Sequence, residues 1–135
     1  LANTFVINAD TIDDRRDVME GFLRAWSKGM YVSVVHPEAV ELMLRKAVPA
    51  EWEDEAAGKS LLEGVIDMNI SKTERLGDLQ TDVWAEIQPR MLSSGGIEAE
   101  VDPTTFLNDV YIDGANDFDR AEVEAEAKAW LDENM

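Results

Sequence analysis

Between Met19 and Val34 the apolar residues Met19, Phe22, Leu23, Trp26, Met30 and Val34 recur at three- and four-residue steps. With about 3.6 residues per turn, that spacing predicts one long amphipathic helix carrying a continuous apolar stripe. Its start is marked by Asp10-Thr11, which supplies N-cap chemistry, and by Asp13 and Asp14, whose charge suits a first helical turn. Gly21 and Gly29 weaken it locally. Its end is set near His36, because Pro37 disfavours helical geometry in the residue before it.

The same logic carries along the chain. Pro37 can open a second helix with Ala39, Val40, Met43, Leu44 and Ala47 facing inward. A third is expected after Pro49, where Glu51, Glu53 and Asp54 suit a helix N-terminus, with Trp52, Ala56, Leu61, Leu62, Val65 and Ile66 on its stripe to about Met68. The polar stretch 69–78 reads as a loop. A fourth helix over about 81–92 turns Val83, Trp84, Ile87 and Met91 inward, is interrupted or kinked by Pro89 and stops at Ser94-Gly95-Gly96. Asp102-Pro103-Thr104 opens a short turn or helix, 113–119 is a turn-rich connector, and a last helix from about Arg120 carries Val123, Ala127, Trp130 and Leu131.

Against these helices stands one strand candidate, the β-branched and aromatic run Thr4–Asn8. The expected fold class is therefore mainly α, with five or six helices and one short strand. A solitary strand leaves its backbone groups unsatisfied, so its partner belongs either to further chain or to a second copy of this one.

Charge and composition narrow the function classes. Twelve Lys and Arg against 29 Asp and Glu leave a formal net charge of −17, a field that repels phosphate backbones and anionic lipid, so neither nucleic acid nor a membrane surface is an expected partner. The acidity fits a soluble surface, or a salt-rich setting in which screening removes self-repulsion. There is no cysteine, which excludes disulfides, thiolate metal sites and a thiol nucleophile. No apolar stretch approaches the roughly 20 residues needed to span a bilayer. The N-terminal LANTFVINAD has no signal-peptide pattern, and a first residue of Leu1 suggests a piece of a longer or processed product.

No catalytic constellation can be assembled, so no enzyme activity is expected. His36, the only histidine, sits at a predicted helix end and is expected to be structural. Asp113, Asp117 and Asp119 lack the alternating spacing of a calcium loop and read as a solvated turn, leaving no metal or other cofactor expected. Gly95-Gly96 lacks the following helix with Lys and Ser or Thr that a phosphate loop requires. Aromatics on the helix stripes, including the four Trp residues, read as core.

The order of segments resembles the periplasmic substrate-binding proteins for nitrate, sulfonates and thiamine-pyrimidine precursors. The residues carrying the resemblance are Phe22-Leu23-Arg24-Ala25, Trp26, His36-Pro37-Glu38, Ala39-Val40, Leu76-Gly77, Trp84, Gly96-Ile97, Val101-Asp102-Pro103 and Phe106-Leu107-Asn108-Asp109, within a span from about Thr4 to Ile112. The resemblance implies a two-lobed α/β parent with ligand in the cleft, in which 4–8 is a hinge strand crossing between lobes. Residues 1–112 would then be the C-terminal portion of that fold, with helices packing on the first lobe, and 113–135 a connector and C-terminal helix without a counterpart in the family. It further implies capture of a small solute (sulfonate, nitrate or pyrimidine-like) for the permease of an ABC importer, in the periplasm or anchored outside the membrane. Asn3, Thr4 and Asn8, beside the strand, become the candidate ligand-binding residues. Pro89 departs from the family pattern, and the absence of cysteine keeps the activity of the related pyrimidine synthases from carrying over. A stand-alone helical protein-interaction module is the competing reading, and self-association of this chain is expected if the strand edge stays open.

Overall fold

The computed structural model describes residues 4–135. Six α-helices follow one another: α1 Arg16–Val35, α2 Pro37–Ala47, α3 Glu55–Asn69, α4 Thr81–Ser93, α5 Ile112–Ala115 and α6 Arg120–Asn134, with short 3-10 turns at Ala9–Thr11, Pro49–Trp52 and Pro103–Thr105. The mainly α reading holds, and the boundary chemistry explains most of the ends. His36 closes α1, donating its N–H to the Val32 carbonyl at 2.8 Å, and its own carbonyl accepts from Ala39 N–H, so one residue serves both helices while Pro37 starts the second. Asp54 and Asp119 cap α3 and α6, each accepting from two backbone N–H groups of the first turn. Helix α3 thus begins after its acidic cluster, because Asp54 caps it and Pro49–Trp52 forms a separate 3-10 turn.

Helix α4 ends in a Schellman motif. Gly96 N–H reaches the Met91 carbonyl at 2.8 Å, Gly95 N–H reaches that of Leu92 at 3.1 Å, and Gly95 takes a φ of 74°. The expected break at Pro89 does not interrupt α4, which runs continuously through it.

Two expectations are corrected. No residue of Thr4–Asn8 lies in a β-strand, and no strand occurs among the described residues. The physical reason is that a strand requires a neighbour to bond with, and every neighbour here is helix or loop. The stripe of α1 is also only partly covered, with Met19, Leu23 and Met30 half-buried. Phe22 (50% exposed), Trp26 (47%) and Val34 look outward, whereas Ser27 and Ser33 are buried. Helix α1 packs against α2, α3, α5 and α6. Arg24 donates to the Gly114 carbonyl at 2.9 Å, and Arg16 donates to that of Val110 at 2.8 Å. Met43, Leu61, Val65 and Met91, also expected inward, are exposed, while Ala39, Trp52, Leu62, Val123, Ala127 and Leu131 are buried as expected.

Two side-chain amides clamp loop residues. Gln88 donates to the Val101 carbonyl at 2.7 Å and accepts from its N–H at 2.6 Å. Asn116 treats Leu76 the same way, at 3.0 and 2.8 Å. Each clamp satisfies both backbone groups of one loop residue, Val101 in a coil segment and Leu76 in a turn. The Gln88 clamp, with the edge-on pair Trp84–Phe106, ties α4 to the 3-10 turn at Pro103–Thr105, which is its packing partner among the elements.

Candidate functional site

The segment Thr4–Ile7 lies along the outward face of α1. Phe5 sets its ring edge-on to Phe22 (centroids 5.3 Å apart) and to Trp26 (5.1 Å), geometries that favour the positive ring edge over the negative face. Ile7 is partly covered, and Val6 between them is 93% exposed. The run therefore alternates in burial with a period of two, as a strand does, although no strand pairs with it. Among the described residues, the N–H groups of Phe5, Val6 and Ile7 make no backbone hydrogen bond. Phe5, Val6, Phe22, Trp26 and Val18 form an exposed apolar surface beside that open backbone edge. Such an arrangement can bind an extended segment edge-on and bury large side chains beside it.

Of the three residues singled out as ligand-binding, Asn3 lies outside the described residues. Thr4 is exposed, outside any helix or strand. Asn8 is exposed and accepts from Asp10 N–H at 2.9 Å, so its amide oxygen caps the 3-10 turn Ala9–Thr11. No cleft brings Thr4 and Asn8 together with other polar groups. Sequence reasoning missed Phe22 and Trp26 as surface residues, because periodicity defines a stripe without saying how much of it the rest of the chain covers.

A concavity of about 580 Å³ runs between the start of α2 and α6 and is lined by His36, Glu38, Glu124, Lys128, Leu131 and Asp132, among others. The His36 ring holds Glu38 through Nδ1 at 3.1 Å, and its Nε2 is buried without a hydrogen-bond partner among the described residues. The backbone N–H of Glu38 at the helix start, with His36 second, holds the Glu38 carboxyl below the usual carboxylate range. The groove is open to solvent and holds no nucleophile–base pair.

The acidic turn does not assemble a metal site. Asp113 pairs with Arg75 at 2.9 Å, Asp117 approaches Arg24 at 3.9 Å and Asp119 caps α6. No group of three His, Cys, Asp or Glu suited to a metal ion occurs among the described residues. Arg75 is the hub of its loop, since it also bonds Asp78 at 2.5 Å and thereby draws the Asp78 carboxyl below its ordinary value. No described helix is long and apolar enough to cross a membrane. Comparison with known proteins finds no significant match to this chain among protein-family models, curated proteins or solved structures.

Proposed function

We propose that this chain is the C-terminal part of an extracytoplasmic solute-binding protein that captures a small sulfonate, nitrate or pyrimidine-like molecule for an ABC importer. The observation that carries the reading is the exposed apolar segment Thr4–Ile7, alternating in burial and unbonded along its backbone among the described residues. A segment of that kind needs a strand partner from further chain, which fits the hinge strand crossing between lobes that the family resemblance makes of it. The ordered residue series from Phe22-Leu23-Arg24-Ala25 to Phe106-Leu107-Asn108-Asp109 supports the same reading. In it, 1–112 frames the cleft and most ligand contacts come from elsewhere in the parent, consistent with Asn8 being occupied in a cap.

An antiserum against this chain, used on the cells that make it, reads the size of the native product. A product at least twice 15.1 kDa, released with the cell envelope, is expected; a product of this chain's own size overturns the reading. Thermal-shift assays on the intact product against an alkyl sulfonate, nitrate and an aminopyrimidine are expected to raise the melting midpoint with one of them. No rise with any of the three also overturns it. The second reading, a stand-alone helical protein-interaction module, is favoured by the exposed Phe5–Phe22–Trp26 cluster, since a patch of large aromatics on a monomer marks an interaction surface.

A further inference from the structure

We propose that two copies of this 135-residue chain pair through Thr4–Asn8 as an antiparallel two-stranded ribbon centred on Val6. The edge is there to be used: Phe5, Val6 and Ile7 belong to no helix or turn, Asn8 after them is extended, and the N–H groups of Phe5, Val6 and Ile7 are unbonded among the described residues. A second copy supplies the complementary edge, because an isologous two-fold contact joins a patch to itself.

The register follows from the two-residue period. With Val6 opposite Val6 of the other copy, Phe5 faces Ile7 and Thr4 faces Asn8 across the seam. Phe5 and Ile7, the less exposed side chains of the run, then share one face, and the α1 helices of both copies lie on that face. Phe22 and Trp26, now half-exposed, become part of a layer of two helices on two strands. Any shift by one residue would turn Phe5 and Ile7 of one copy to the opposite face, so the hydrophobic pattern selects this register.

Charge selects the location. At a net charge of −17, two copies repel over most of their surfaces, and like charges directly opposite in a ladder are destabilising. The stretch from Leu1 to Ala9 carries no charged residue, so the seam itself opposes none. Longer-range repulsion remains and is removed by salt, the screening length falling from about 10 Å at 0.1 M to about 3 Å at 1 M. Pairing therefore strengthens with salt, the reverse of what docking by a basic partner would show.

The absence of cysteine makes the test clean. Opposed residues in an antiparallel pair have Cα atoms about 4.5–5.5 Å apart, within the range a disulfide spans. Val6→Cys is at a 93% exposed position, and the variant is expected to cross-link to twice its mass under mild oxidation, more completely at 1 M than at 0.1 M salt. Leu61→Cys, exposed on α3, is expected to stay uncoupled. Sedimentation of the unmodified chain should show the same salt-promoted doubling, and Val6→Asp should abolish it with the helical circular dichroism unchanged. A Val6→Cys chain that remains monomeric, or a Leu61→Cys chain that couples equally well, overturns the proposal. The outcome stands apart from the solute-capture reading, which is decided by the size and ligand response of the native product.

Discussion

Replacing Gln88 by Ala removes both bonds that hold Val101 against α4, at 2.7 and 2.6 Å. Gln88 is 6% exposed whereas Val101 as a residue is 53% exposed, so water can reach part of what the substitution frees. At about 0.5–1.5 kcal/mol net per bond, the loss is about 1–3 kcal/mol. Its distribution matters more than its size. Among the described residues helix α4 packs on the 3-10 turn at Pro103–Thr105 and on no other helix, so opening is expected to stay within 81–107. Hydrogen exchange read by mass spectrometry should show protection falling in that stretch, by about 5- to 150-fold for such a loss, with α1 and α6 unchanged. Gln88→Glu should be worse at neutral pH, because a carboxylate cannot donate to the Val101 carbonyl. Protection lost evenly over the whole chain, or not lost at all, would refute the claim that this amide ties Val101 to α4.

Gly58→Ala puts a Cβ 2.7 Å from the Trp52 ring, which Arg45 covers from 4.2 Å; overpacking of about 1–3 kcal/mol is expected, read as a lower denaturant midpoint. Asp119→Ala removes the cap of α6 and should cost about 1 kcal/mol, visible as earlier fraying of that helix in hydrogen exchange. The Asp78 carboxyl is held below its ordinary value by Arg75 first and Thr73 after it. Its contribution is present above the unfolded pKa, about 3.9, and is lost as pH falls through the folded value. Asp78→Asn should therefore lower stability at pH 7 and flatten its dependence on pH below about 4, checked by urea titration at several pH values. The net charge of −17 predicts a melting midpoint that rises with salt as self-repulsion is screened; a flat midpoint between low and molar salt would remove the salt-adaptation reading.

What was legible in the sequence was local. The helix ends at His36-Pro37 and Ser94-Gly95-Gly96, the start of the last helix at Arg120, and the buried places of Ala39, Leu62, Val123 and Leu131 follow from caps, proline geometry and periodicity, all of which act within a few residues. The tertiary structure decided what periodicity leaves open. It left Phe22 and Trp26 of α1 half-exposed while burying Ser27 and Ser33, since periodicity marks a stripe and only packing decides how much of it is covered. It committed Asn8 to a turn and scattered Asp113, Asp117 and Asp119 among separate partners. It also left Thr4–Ile7 outside any helix without making it a strand. Strand propensity is a side-chain property that five residues can carry, whereas a strand is a pairing, and its hydrogen-bond partner has to come from somewhere else.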